Sequence, residues 1–184
     1  TFEYSTSFEM LGAIIEQVTG QRLGAYLKQV IWEPLGMKDT TFQVPENQRQ
    51  RVAHGFANDP LTGKPQAIHP VNKNPTFDCG GGCAFSTVPD YLRFGQMLLN
   101  GGHLQNKVVL GSGMVQLMTS NHLDSSIANR VAVVEPHRAG YGFGLGVAVR
   151  TQPGVASVPG NAGEYSWNGS YGTGFFIDPK ADMV

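Results

Sequence analysis

Side chains able to attack a substrate, exchange protons or bind metal are sparse in this 184-residue chain, and their spacing removes several reaction classes. No Gly-x-Ser-x-Gly turn raises a serine at a strand–helix junction, and there is no Gly-x-Gly-x-x-Gly, phosphate loop or His-Glu-x-x-His pair. None of the ten serines has a lysine three residues on. Cys79 and Cys83 bracket three glycines; two cysteines are too few for a disulfide framework and lack the further ligands of a zinc site, so they read as loop thiols. His54, His69, His103, His122 and His137 are scattered without metal-ligand spacing and read as surface or structural residues. Asn168-Gly169-Ser170 matches a glycosylation sequon by accident of composition. The 24 glycines gather at 80–82, 101–102, 140–146 and 169–174, where the backbone must turn tightly or let another group approach.

The elements that must carry these residues follow from hydrophobic periodicity. From Ser7 to Gly20 the apolar residues Leu11, Ile14, Ile15 and Val18 form the stripe of an amphipathic helix stopped by glycine. Leu23, Tyr26, Leu27, Val30 and Ile31 repeat the pattern up to Pro34, which is expected to end that helix and open a Pro34-Leu35-Gly36-Met37 turn. Residues 43–78, with Pro45, Pro60, Pro65, Pro70 and Pro75, predict a long surface excursion with little regular structure. Thr87 caps a helix running to Asn100, with Asp90 reaching back in a capping box and Tyr91, Phe94, Leu98 and Leu99 on its buried face. A shorter helix starts at Ser112. Tyr141, Phe143, Leu145, Val147 and Val149 alternate with small residues, which predicts one strand with one bulky face. Phe175-Phe176-Ile177 and Met183-Val184 predict two more strands, the second cut short. Helices first and strands afterwards, without βαβ alternation, imply a helical region joined to a mostly antiparallel sheet.

Four spaced segments carry a family resemblance. Tyr4-Ser5-Thr6, followed by Leu11-Gly12 and the helix ending at Thr19-Gly20, resembles the second motif region of the serine β-lactamase and penicillin-binding-protein superfamily. Pro34-Leu35-Gly36-Met37 with Asp39-Thr40 resembles the turn after those helices in class C β-lactamases and family VIII carboxylesterases. Gly80-Gly81-Gly82, Ser86-Thr87 and the helix from Asp90-Tyr91 resemble the same family's glycine-rich segment and following helix. Trp167-Asn168-Gly169, ahead of Phe176-Ile177-Asp178-Pro179, sits where the third motif lies. The implied fold is α/β (α+β), β-lactamase/DD-peptidase-like, with an antiparallel sheet flanked by helices plus a helical region; residues 1–184 would be part of it, 1–137 mainly helix and loop, 138–184 strands.

The resemblance implies a serine and a lysine in a Ser-x-x-Lys segment upstream of Tyr4, so the chain is expected to be an internal fragment, inert alone. It makes Tyr4 a general base or proton relay, a phenol whose proton a neighbouring lysine ammonium would help to remove. Gly169 would let the substrate pass close to the strand, and the Ser170 N–H would form half of an oxyanion hole. Thr6 stands where β-lactamases carry an amide-bearing asparagine, and Trp167 stands where they carry a lysine that pairs with the lactam carboxylate. Thr6, Trp167, Asn168 and Tyr171 are the expected substrate-contacting residues, and the Trp-x-Gly form resembles family VIII carboxylesterases, so a small ester is the expected substrate. Alternatives on the same fold are a β-lactamase, a D-amino-acid peptidase, or a non-catalytic ligand-binding member, and a second chain is the alternative source of the Ser-x-x-Lys segment. No cofactor and no metal is implied. A formal net charge of −1 offers no positive field for nucleic acid or an anionic membrane, and no apolar run reaches the roughly 20 residues of a membrane helix.

Overall fold

A computed structural model describes residues 2–66, 75–124, 126–127, 132 and 135–184; His69 and Pro70 lie outside them. Helix α1 spans Ser7–Thr19 and stops where Gly20 takes the left-handed conformation (φ 67°) that a glycine adopts without cost. Three residues of its expected apolar stripe stay outside, Leu11, Ile14 and Val18 at 53, 54 and 79% exposed, while Ile15 packs against the core and Gly12 is the helix's buried residue. Helix α2 (Leu23–Leu27) does not stop at Pro34. It widens into a π-helical turn at Lys28–Trp32 and continues as α3 (Glu33–Leu35), with Pro34 carried just after the widened turn. The stop is Gly36, at φ 69°.

Residues 43–66 hold a 3-10 turn at Glu46–Arg51 and an isolated bridge between Asn58 and Pro65, otherwise irregular as expected. Helix α4 (Val88–Leu99) begins with Thr87 accepting the Asp90 N–H at 3.4 Å. The reciprocal half of the capping box is absent, because the buried Asp90 carboxylate is taken by the Asp39 N–H (2.7 Å) and the Thr40 hydroxyl (2.9 Å). That pair ties the 36–40 turn to α4. Met97 and Leu98 are its most deeply buried apolar residues, whereas Tyr91 stays 39% exposed. A two-residue hairpin, β1 (His103–Leu104) with β2 (Lys107–Val108), follows, and then α5 (Ser112–Met118).

The alternating stretch from Tyr141 is two strands, β3 (Tyr141–Phe143) and β4 (Ala148–Arg150), not one. Gly144 to Val147 makes the turn between them, with the Gly144 N–H on the Val147 carbonyl (2.8 Å) and Gly146 at φ 86°. Strands β5 (Tyr165–Asn168) and β6 (Gly174–Ile177) complete an antiparallel four-stranded sheet in the order β3-β4-β5-β6. Met183 forms an isolated bridge to Asp178 instead of a further strand, and Val184 packs against Gly95. The core lies between helices and sheet: Leu23, Trp32, Leu35, Met37, Phe42, Met97, Leu98 and Val115 meet Val147, Val149, Tyr165 and Ile177. Burial pushes the Tyr165 phenol up to about 12.

Candidate active site

Tyr4 and Trp167 meet across the chain. Tyr4 sits two residues ahead of Thr6, the residue that enters α1, and Trp167 lies near the end of β5. Their rings are 4.8 Å apart between centroids, and the Trp167 indole N–H donates to the Tyr4 hydroxyl oxygen at 3.1 Å across 163 positions of sequence. Phe8 and Phe143 hold the pair from the sides, with centroids 5.6 and 6.3 Å from the Tyr4 ring and Phe143 edge-on to Trp167 at 5.3 Å. Tyr4 and the Trp167 strand are thus in direct contact. Tyr4 remains 40% exposed, so the phenol presents an open side.

The other predicted residues fall around this pair unequally. Thr6 is exposed at the helix entry, its carbonyl accepting the Glu9 N–H at 3.0 Å and its hydroxyl capping nothing. Gly169 and Ser170 lie just past β5, in the connection to β6, where the Gly169 N–H bonds the Thr173 carbonyl (2.8 Å) and the Gly172 N–H bonds the Gly169 carbonyl (3.0 Å). A Cβ at Gly169 would stand 2.2 Å from the Thr173 hydroxyl oxygen, so the missing side chain serves the hairpin itself. The Ser170 N–H makes no hydrogen bond among the described residues. Tyr171 is 68% exposed. The Asn168 amide is committed elsewhere: its oxygen accepts from Arg138 at 3.2 Å and its nitrogen donates to Glu135 at 3.1 Å. Arg138 and Glu135 carried no signal that sequence reasoning could use, since neither belongs to a motif; Glu135 also has the His137 imidazole within 3.5 Å.

The glycine segment docks beside this site. Backbone N–H groups of Gly80 and Gly81 bond the Glu9 carboxylate of α1 at 2.7 and 3.2 Å, and Asp78 holds the segment to α2 through Arg22 (2.6 Å) and the Gly24 N–H (2.9 Å). The reading of Cys79 and Cys83 as thiols is corrected: they form a disulfide closing the loop over the three glycines. The small, turn-forming glycines let two cysteines four positions apart bring their Cα atoms to 5.6 Å, within disulfide reach. Among the described residues no group of three or more His, Cys, Asp or Glu could hold a metal ion. A cavity of about 400 Å³ opens on the Arg138 side, bordered by Tyr141, Glu164, Ser166 and Phe176; neither Tyr4 nor Trp167 lines it.

A helical region and an antiparallel sheet that bring a tyrosine ahead of α1 against a Trp-x-Gly strand end are the frame of a serine β-lactamase-like fold. The chain belongs to the Beta-lactamase family, whose model matches residues 2–184. It is 32% identical to Protein Rv1367c of Mycobacterium tuberculosis (strain ATCC 25618 / H37Rv) over 98% of its own length and 46% of that protein. It is 26% identical to Esterase EstB of Burkholderia gladioli over 96% of its length and 46% of that protein. Among solved structures, EstCE1, described as a hydrolase with promiscuous acyltransferase activity, superposes with a TM-score of 0.76 at 24% identity, covering 98% of this chain and 49% of that one. The chain therefore spans about half the length of these relatives.

Proposed function

We propose that residues 1–184 form the tyrosine and oxyanion half of a serine carboxylesterase that cleaves small esters through an acyl-enzyme. The observation that supports this reading is the Trp167 indole N–H bonded to the Tyr4 hydroxyl, beside the end of β5 that leads into Gly169 and Ser170. The serine and its lysine come from a Ser-x-x-Lys segment outside these residues, in the same polypeptide or a second one. The outward apolar face of α1, with Leu11, Ile14 and Val18, is the surface assigned to that segment, since a stripe of this kind on a folded helix is otherwise left in water.

In the proposed reaction the serine oxygen attacks the ester carbonyl while Tyr4 and the lysine receive its proton. The carbonyl oxygen takes the negative charge against the Ser170 N–H and that of the serine itself. The C–O bond to the alcohol breaks as the alcohol oxygen recovers the proton, and water then repeats the sequence to release the acid and free the serine. Trp167 in place of a cation removes the partner that an anionic lactam or peptide terminus would use, which favours neutral esters. The test compares p-nitrophenyl esters, nitrocefin and D-alanyl peptides on the protein that includes the Ser-x-x-Lys segment. Short esters should be turned over, and Tyr4→Phe should lower kcat by about 10²- to 10⁴-fold. Nitrocefin turnover without ester turnover would overturn the assignment.

A further inference from the structure

Arg138 is a buried cation, 3% exposed, and such a charge is costly unless every donor is met. Each of its guanidinium nitrogens has an acceptor. Nε bonds the Glu135 carboxylate, Nη1 the Ser166 hydroxyl at 2.5 Å, and Nη2 the Asn168 amide oxygen at 3.2 Å. Ser166 and Asn168 are the residues on either side of Trp167 in β5. The same guanidinium lies against the rings: its central carbon is 5.2 Å from the Trp167 centroid and 5.5 Å from that of Tyr141, both within cation–π range. Glu135 closes the arrangement by accepting the Asn168 amide N–H, so strand, arginine and glutamate form one ring of charge-assisted bonds.

We propose that Arg138, held by Glu135, is a positioning residue that fixes the Trp167 indole and, through the indole N–H, the Tyr4 phenol. The flat fork of an arginine is what the arrangement uses: two nitrogens bracket Trp167 along the strand while the plane rests on aromatic faces, and a lysine offers neither. The geometric part stands on the contacts themselves; its consequence for turnover rests on the esterase reading above.

The two parts are tested separately. Trp32→Phe leaves Trp167 the one tryptophan of this chain, which has two. In that background Arg138→Lys should raise the acrylamide quenching constant of Trp167 by about twofold or more and move its emission maximum, with far-UV circular dichroism unchanged. Unchanged quenching and emission overturn the proposal whatever the protein catalyses. In the protein that includes the Ser-x-x-Lys segment, Arg138→Lys should lower kcat for a short p-nitrophenyl ester about tenfold with KM within about twofold. That loss should shrink to under about twofold in a Trp167→Phe background, because the effect passes through the indole. An equal loss in both backgrounds, which a general weakening of the fold would give, overturns it. Should Arg138→Lys not fold, Glu135→Gln takes its place with the same expected quenching change, and no change there overturns the proposal. Absence of any ester turnover in the unmutated protein removes the esterase reading and leaves the fluorescence result to decide the role of Arg138.

Discussion

Gly80→Ala probes the joint between the disulfide loop and the helix that follows Tyr4. A Cβ on Gly80 would lie 2.0 Å from the Phe8 carbonyl oxygen, 2.9 Å from its carbon and 3.1 Å from the Gly12 nitrogen, all backbone atoms that no rotamer change can clear. Relief requires the loop to retreat from α1 by about 1 Å, which turns the 2.7 Å bond from the Gly80 N–H to Glu9 into no bond at all. One hydrogen bond to a partly buried carboxylate is worth about 1.5–3 kcal/mol, and the overpacking adds about 1–3 kcal/mol. A destabilisation of about 2.5–6 kcal/mol follows, a large share of a typical domain's stability of about 5–15 kcal/mol. Gly82 is the internal control, since nothing among the described residues lies within 4 Å of its Cβ position and Gly82→Ala should change stability by no more than about 0.5 kcal/mol. Urea unfolding followed by tryptophan emission measures both variants. A Gly80→Ala midpoint indistinguishable from that of Gly82→Ala would refute the docking of the glycine loop on α1.

Three further outcomes are expected. Replacing both Cys79 and Cys83 by serine reopens a five-residue loop and should cost about 2 kcal/mol in urea unfolding, a cost that disappears when both proteins are compared in excess dithiothreitol. Trp167→Phe keeps a ring against Tyr4 but removes the N–H, so kcat for a short ester should fall about tenfold in the protein that includes the serine segment; unchanged kcat would separate the hydrogen bond from catalysis. The Tyr165 phenol, pushed up to about 12 by burial, stays protonated when folded at a pH where the unfolded chain has released it, and burial together with the Glu164 hydrogen bond raises Tyr141 in the same direction. A raised value stabilises fully below the unfolded value of about 10 and is lost above it, so Tyr165 alone should cost about 1 kcal/mol by pH 11, and Tyr165→Phe should flatten that loss.

What local chemistry controls could be read from the residues. Gly20 and Thr87 mark the ends of α1 and α4 because capping is decided within four residues. The Tyr141–Val149 stretch misleads because a hairpin turn built on Gly144 and Gly146 keeps the same period of two as a strand, and only the pairing of Tyr141 with Arg150 separates them. The stripe on α1 gives the helix but not its partner, for periodicity says which residues share a face and nothing about what covers it. The contact of Tyr4 with Trp167 falls on two residues that motif resemblance singles out, whereas the bonds of the Asn168 amide to Arg138 and Glu135 depend on which way a side chain leaves the strand, which no motif records. The Asp90 carboxylate shows the same limit in the helical region: its spacing from Thr87 fits a cap, but a turn fifty residues earlier claims it.

The bond between residues 4 and 167 closes over 163 positions of sequence, with the helices, the disulfide loop and strands β3 and β4 lying between its partners. A contact of this range forms only once the helical region and the sheet are both in place. It is therefore a stricter gauge of tertiary order than circular dichroism: a preparation nicked in the connections between these two residues can keep its helical signal and still lose the meeting of Tyr4 with Trp167.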